Sequence, residues 1–190
     1  MRLILASASP RRLDLLARIG VVPDAVVPAE IDESVQNGEL PRDHALRLAR
    51  EKAEAVAERE PAALVLAADT VVAVGRRILP KVEDEATLRA CMKLLSGRRH
   101  RVLTGVALAI PGAGIRERLG ETVIAMKRLS DEEINYYASH GEWRGKAGGY
   151  ALQGYGEVYV RHIAGSYSNV VGLPLAETRL LLKSAGHEIA

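Results

Sequence analysis

Three groups of residues in this sequence have the types and spacing for phosphate chemistry. The first is Ser7-Ala8-Ser9-Pro10-Arg11-Arg12. Two hydroxyls follow an apolar run, a proline sits where a helix would begin, and two arginines fall in its first turn. The free N–H groups and positive dipole end of a helix start favour an anion. Arginine is repelled there, unless a phosphate lies between, and its planar fork matches phosphate oxygens. The alternative is a capped surface helix with solvated arginines. The second group is Asp69-Thr70, inside LVLAADTVVAVG. A carboxylate in a buried strand has to be ion-paired or metal-bound. Acids in α/β sheets often face the ligand crevice, which makes Asp69 a candidate general base or divalent-cation ligand. The competing reading is a structural ion pair, with an arginine as partner. The third group, Glu30, Asp32 and Glu33, offers hard oxygens for Mg²⁺, or else is a solvated acidic loop.

Two lysines and a glycine-rich segment add to these. Lys52 lies beside the apolar stripe of a helix, where a snorkelling side chain is the simpler reading. Lys81 follows an expected turn and could swing onto a phosphate. Gly145-Lys146-Ala147-Gly148-Gly149-Tyr150-Ala151-Leu152-Gln153-Gly154 lets a backbone approach a ligand closely, and Gln153 carries a donor and an acceptor side by side. It is not a phosphate-binding loop of the Gly-x-x-x-x-Gly-Lys-[Ser/Thr] kind. Gly165-Ser166-Tyr167-Ser168-Asn169 is a further polar turn. The five histidines lack metal-ligand spacing, and neither Gly-x-Ser-x-Gly nor His-Glu-x-x-His occurs, which argues against acyl transfer and zinc hydrolysis.

The elements that must position these residues follow from periodicity. Leu3–Ser7 reads as a buried strand, and Ser9-Pro10 as the start of a helix with Leu13, Leu16 and Ile19 inward and Gly20 as its stop. Ala25–Val27 reads as a strand and Pro41–Glu58 as a helix with a stripe of Ala45, Ala49, Ala53 and Val56. Ala62–Val74 is nearly continuous apolar, as in a strand buried on both faces, and Gly75-Arg76 turns it into Arg77–Leu79. Asp84 caps a helix through Leu95 that ends at Gly97. Val102–Ile110 and Gly114–Met126 are long strands joined through Pro111-Gly112. Ser130-Asp131-Glu132-Glu133 is a capping box for a helix to Ser139. Val158–Ile163 alternates as a strand, and Pro174–Ala185 reads as a terminal helix.

Interspersed helices and strands, with a hairpin among them, indicate an α/β protein with a mixed sheet. A chain of 190 residues, 48% hydrophobic and 26% charged, suits one domain and excludes wholesale disorder. A net charge of +2 and 4% aromatic residues argue against a nucleic-acid-binding module. One cysteine, Cys91, allows no internal disulfide and fits a reducing compartment. Neither a signal peptide nor a membrane span is legible, so a cytoplasmic protein is expected. Phosphate clamp, buried carboxylate and base-reading loop together describe an enzyme acting on a nucleotide.

LASASPRRLDLL, AADTVVAV with the following Lys81, LSGRRHRVLTGVAL, LSDEEINYY, KAGGYALQG and GSYSNVVGLPLAET, in this order, resemble the Maf family of nucleoside triphosphate pyrophosphatases. The likeness runs over about residues 3–186. It implies one domain over 1–190, with an elongated mixed β-sheet, flanking helices and two lobes around a central cleft, similar to the inosine-triphosphate pyrophosphatase fold. It also implies metal-dependent hydrolysis to the monophosphate and pyrophosphate, with Mg²⁺, or Mn²⁺, as the cation. By the same resemblance Asp69 is the proton acceptor and a metal contact, and Glu33 a second metal contact. Ser7, Arg11, Arg12, Lys52, Thr70, Lys81 and Gln153 bind substrate, with Arg11, Thr70 and Gln153 setting specificity. Leu152-Gln153 points to the dTTP and UTP branch, with modified pyrimidines fitting the same edge. A sister branch associated with 7-methyl-GTP carries Ser-Glu at this place. The chain departs from the family's Gly-Lys-Pro with Pro80-Lys81-Val82, where proline stiffens the backbone around the lysine. The resemblance further implies a homodimer, and the family's name suggests a competing regulatory role in septum formation through a partner.

Overall fold

A computed structural model of the chain describes residues 1–187; residues 188–190 of the expected domain lie outside the described residues. The fold is α/β with a mixed sheet. Strand β1 (Leu3–Ala6) is followed by helix α1 (Pro10–Ala17), β2 (Ala25–Val26), α2 (Pro41–Ala57), β3 (Leu64–Val74), β4 (Arg77–Leu79), β5 (Lys81–Val82) and α3 (Glu85–Leu95). Then come β6 (Arg99–Ile110), β7 (Gly114–Met126), α4 (Asp131–His140), β8 (Lys146–Ala147), a short 3-10 turn (Tyr155–Tyr159), β9 (Val160–Ala164), α5 (Tyr167–Val171) and α6 (Leu175–Ser184). The main sheet has the order β2-β1-β3-β6-β7-β9, with β4 paired to β3, and β5 pairs with β8 as a separate ribbon. β1 runs parallel to β2 and β3, and the remaining pairs are antiparallel.

Side chains alternate across a strand, so β3 builds two cores at once. Leu64, Leu66 and Ala68 pack with Leu15 and Leu16 of α1 and Leu181 and Leu182 of α6. Val65 and Ala67 pack on the other face with Ala49, Ala53 and Val56 of α2. A third core, around Leu88, Met92, Tyr137 and Trp143, meets the far ends of β3 and β6 at Val72 and Val102.

The strand lengths leave an opening between these cores. β1 pairs with β3 only along Leu64–Ala67, and β4 takes up pairing only at Val72–Val74. From Ala68 to Val71 the β3 backbone is bonded to β6 and has no strand on its other side. Asp69 and Thr70 stand in the middle of that gap. Alternation turns Asp69 toward the α2 face and Thr70 toward α1 and α5.

Several sequence expectations need adjustment. In α1, Arg12, Leu15 and Leu16 share a face at i, i+3 and i+4, so the face turned to the sheet includes an arginine and leaves Leu13 exposed. Ser9 occupies the N-cap of α1 without a side-chain bond; the Ser9 N–H instead donates to the Ser7 hydroxyl at 3.1 Å. The expected strand from Val158 begins at Val160, because the preceding residues close a 3-10 turn. The polar turn at 165–169 is capped by Ser166 and becomes α5. The Asp84 cap, the Ser130–Glu133 capping box and the β3–β4 hairpin form as expected.

Gly105 faces Asp69 across the β3–β6 pair. A Cβ there would collide with the Ala45 carbonyl oxygen and lie 2.6 Å from its carbon, so the absence of a side chain is what lets α2 press on the sheet. Gly105→Ala is expected to destabilise the fold by about 2 kcal/mol, read as a lower denaturation midpoint with an unchanged slope.

Candidate active site

The gap in the sheet opens into a cavity of about 740 Å³, within the size range of small-molecule and cofactor sites. Its lining brings together Ser7, Arg11, Arg12, Glu33, Lys52, Asp69, Thr70, Lys81 and Gln153. Every site residue singled out from the resemblance therefore borders one hollow. Of the acidic stretch, only Glu33 reaches it. Glu30 is exposed, and Asp32 accepts from the Ser34 N–H at 2.9 Å in its own turn.

Lys52 is the hub of the carboxylate side. It lies on the α2 face that carries Ala45, Ala49, Ala53 and Val56, and is itself buried. Its Nζ sits 2.6 Å from an Asp69 oxygen and 2.6 Å from a Glu33 oxygen. The second Glu33 oxygen pairs with Lys81. The expected snorkelling lysine is thus an internal cation, because α2 packs its apolar stripe directly over the strand that carries Asp69. Asp69 is paired as expected, with a lysine in place of an arginine. Burial alone would push the Glu33 carboxyl up, but the bonds and charges of Lys52 and Lys81 outweigh it and bring its pKa down to about 2. Pro80 does not turn Lys81 away: the Pro80 carbonyl accepts from the Gly148 N–H at 3.0 Å, and Lys81 lines the cavity.

The opposite side is built on Arg12. Its Nε donates to the Gly172 carbonyl at 2.8 Å, and its terminal nitrogens donate to the Ser7 hydroxyl at 3.0 Å and the Thr70 hydroxyl at 3.4 Å. Burial pushes this guanidinium below its ordinary pKa, while the charge of Asp69 acts the other way. Its bonding partners are all neutral, so its charge is not cancelled by contact. Arg11 is also lowered by burial, and its Nε is enclosed without a hydrogen-bond partner. Thr70 is held in turn by Thr104, 3.0 Å away, and Thr104 donates to the Asn169 carbonyl at 3.0 Å. Asn169 donates to the Val102 carbonyl and the Thr122 hydroxyl, and Gly120 leaves room for its side chain. Sequence reasoning passed over Thr104 and Thr122, and read Asn169 only as part of the polar turn at 165–169. The signal for Thr104 was a hydroxyl inside the apolar run Val102–Ile110.

The third wall is the glycine-rich segment. Gln153 stands exposed on the cavity lining. Two side chains fasten the backbone around it. The Tyr137 hydroxyl accepts from the Ala151 N–H at 3.1 Å, and Glu142 accepts from the N–H groups of Tyr155 and Gly156 at 3.0 and 2.9 Å. Glu142 went unnoticed in the sequence because it precedes the glycines. Tyr150, also on this wall, is bonded through its hydroxyl to buried His100 at 2.7 Å.

Among the lining residues are five cations, Arg11, Arg12, Lys52, Lys81 and Lys146, and three acids, Glu33, Asp69 and Glu142. The excess of positive charge suits a polyanionic ligand. Asp69 and Glu33 both reach the Lys52 ammonium at 2.6 Å, so two carboxylates meet at the cavity wall. Among the described residues no set of three or more His, Cys, Asp or Glu side chains converges on such a point. Two carboxylates are a donor set of the kind that hard divalent cations take, with phosphate and water completing the shell.

The Maf-like protein family model matches residues 2–185. The chain belongs to the Maf family. Among curated Maf relatives, a protein of Novosphingobium aromaticivorans named dTTP/UTP pyrophosphatase is 60% identical, over 98% of this chain and 93% of its own. One of Caulobacter vibrioides with the same name is also 60% identical, over 97% and 96%. A solved structure of the Staphylococcus aureus Ham1 protein is 16% identical with a TM-score of 0.48, covering 74% of this chain and 97% of its own, a likeness too loose to carry an argument. Among the described residues no helix is long and apolar enough to cross a membrane.

His100 supplies a test of this Maf site's third wall. Its Nδ1 is buried without a partner, and burial pulls its pKa from 6.5 to about 4. The folded protein therefore holds the ring neutral while the unfolded chain protonates it. Stability is complete above pH 6.5 and is lost as pH falls toward about 4. His100→Phe is expected to flatten the melting temperature against pH across that window, even if it lowers the plateau by losing the Tyr150 bond.

Proposed function

We propose that this chain hydrolyses pyrimidine nucleoside triphosphates, dTTP and UTP, and modified analogues that share their base edge, to the monophosphate and pyrophosphate, so clearing non-standard nucleotides. The observation that carries the reading is the meeting of buried Asp69 with Arg11, Arg12, Lys52 and Lys81 around one cavity. The names of the close Maf relatives support the substrate class.

In this reading the triphosphate tail lies between the start of α1 and the Lys52–Lys81 side. Arg12 already has its guanidinium fixed by the Gly172 carbonyl, Ser7 and Thr70, so little reorganisation is needed when phosphate arrives. Lys52 holds the Asp69 carboxylate in place through their 2.6 Å contact. Asp69 takes the proton of a water whose oxygen bonds to the α-phosphorus, and the bond from that phosphorus to the bridging oxygen breaks in line, releasing pyrophosphate. The lysines and arginines neutralise the charge gathering on the phosphate oxygens. Asp69 and Glu33 would hold a divalent cation, Mg²⁺ or Mn²⁺, which when bound adds further neutralisation of phosphate charge. The Gln153 amide satisfies a ring carbonyl and the neighbouring N3–H of uracil or thymine together. The same reading takes the protein as one domain with two lobes about the cleft, cytoplasmic and paired as a homodimer.

A panel of canonical and modified nucleoside triphosphates with Mg²⁺, scored for pyrophosphate and monophosphate, tests the substrate class; turnover confined to purines would sink it. Asp69→Asn is expected to lower kcat by about a thousandfold or more with circular dichroism unchanged. Wild-type rates in that variant would remove Asp69 from the chemistry. Gln153→Glu is expected to lower UTP turnover by about tenfold more than purine turnover, since a carboxylate cannot donate to a ring carbonyl. An equal fall across bases would refute base reading at this position.

A further inference from the structure

One cation of the cavity wall has no part in the reading above. Lys146 lies on β8, whose pairing with β5 sets Val82 opposite Lys146 and Lys81 opposite Ala147. The side chain is half-buried and lines the cavity. Among the described residues its ammonium makes one long hydrogen bond, 3.4 Å to the Arg144 carbonyl, and is paired with no carboxylate. Burial and the charge of Arg11 push its pKa down. Glu142 acts on it only from beyond ion-pair distance, and both Glu142 oxygens are taken by the backbone at Tyr155 and Gly156. A partly desolvated ammonium beside another cation, with no counter-ion, is satisfied by a ligand group that offers acceptors.

Its place in the cavity says which group that is. The reacting side is one connected set, in which Lys52 joins Asp69 to Glu33 and Lys81, and Arg12 joins Ser7 to Thr70. Lys146 bonds to none of these. It belongs to the segment that carries Tyr150 and Gln153. Gln153 alone is also an ambiguous reader. Rotating its amide exchanges donor for acceptor, so it suits the N3–C4 edge of cytosine as well as that of uracil. A lysine has only donors and admits no such exchange.

We infer that Lys146 is a specificity-determining residue of the base subsite, its ammonium donating to the C4 carbonyl and so favouring pyrimidine-2,4-diones over bases that present an exocyclic amino group there. The inference rests on the proposed pyrimidine reading. An amino group facing the ammonium would set donor against donor and leave both unpaired, which is where the discrimination arises.

The test is kcat/KM for UTP, dTTP, CTP and ATP in the wild type and in Lys146→Arg, Lys146→Met and Lys146→Gln, with folding followed by thermal melts. Arginine keeps a donor-only cation, methionine keeps the unbranched shape, and glutamine supplies an acceptor. The UTP-to-CTP ratio is expected to fall by about tenfold or more in the methionine and glutamine variants, and to stay near the wild-type value in the arginine variant. A wild type active on UTP and dTTP whose ratio is unchanged in all three variants overturns the inference and leaves the proposed function standing. An equal loss for all four triphosphates also overturns it, and makes Lys146 a phosphate contact. A wild type inert toward UTP and dTTP overturns both.

Discussion

Asp69 stands on an apolar central strand with its carboxylate against the Lys52 ammonium, 2.6 Å away. Taking both charges out of water costs several kcal/mol per ion, and their attraction returns little net stability. The pair therefore makes demands on everything near it. α2 has to lie close enough over β3 for a lysine to reach down, which needs Ala45, Ala49 and Ala53 in the interface and a glycine at 105. Glu33 has to come in from a loop to share the ammonium, and Lys81 has to meet the second Glu33 oxygen. The result is a row of alternating charges beside Ala68–Val71, where β3 has a strand on the β6 side only.

On the other face the same stretch is held by neutral groups. Thr70, Thr104, Asn169 and Thr122 form a chain of hydrogen bonds that crosses β3, β6, α5 and β7. It anchors the hydroxyl that Arg12 uses and spends no charge doing so. The contrast is one of charge: carboxylates and lysines in contact on one face, and on the other an arginine whose bonding partners are all neutral.

Much of the fold could be read from local signals, because those signals are sufficient by themselves. Ser130 with Glu133 three residues on closes a capping box, and Gly75 at φ +60° makes the β3–β4 turn. Readings failed where tertiary packing chose between locally equal options. Leu13 and Leu16 are as good a stripe as Leu15 and Leu16 until Arg12 has to face Gly172. Lys52 has the spacing of a snorkelling residue, and only the approach of β3 makes it internal. The pairing of β5 with β8, two residues each, carries too little pattern to be visible at all. The site residues came from the resemblance. Local chemistry alone left Asp69 and Arg12 ambiguous and passed over Glu142.

The two-residue ribbon of β5 and β8 places Lys81 and Lys146 on facing strands. Backbone hydrogen bonds set the distance across a ladder, so the spacing of these two lining strands is fixed by peptide geometry. A single-residue insertion on either strand would reverse which side chains point inward on that strand.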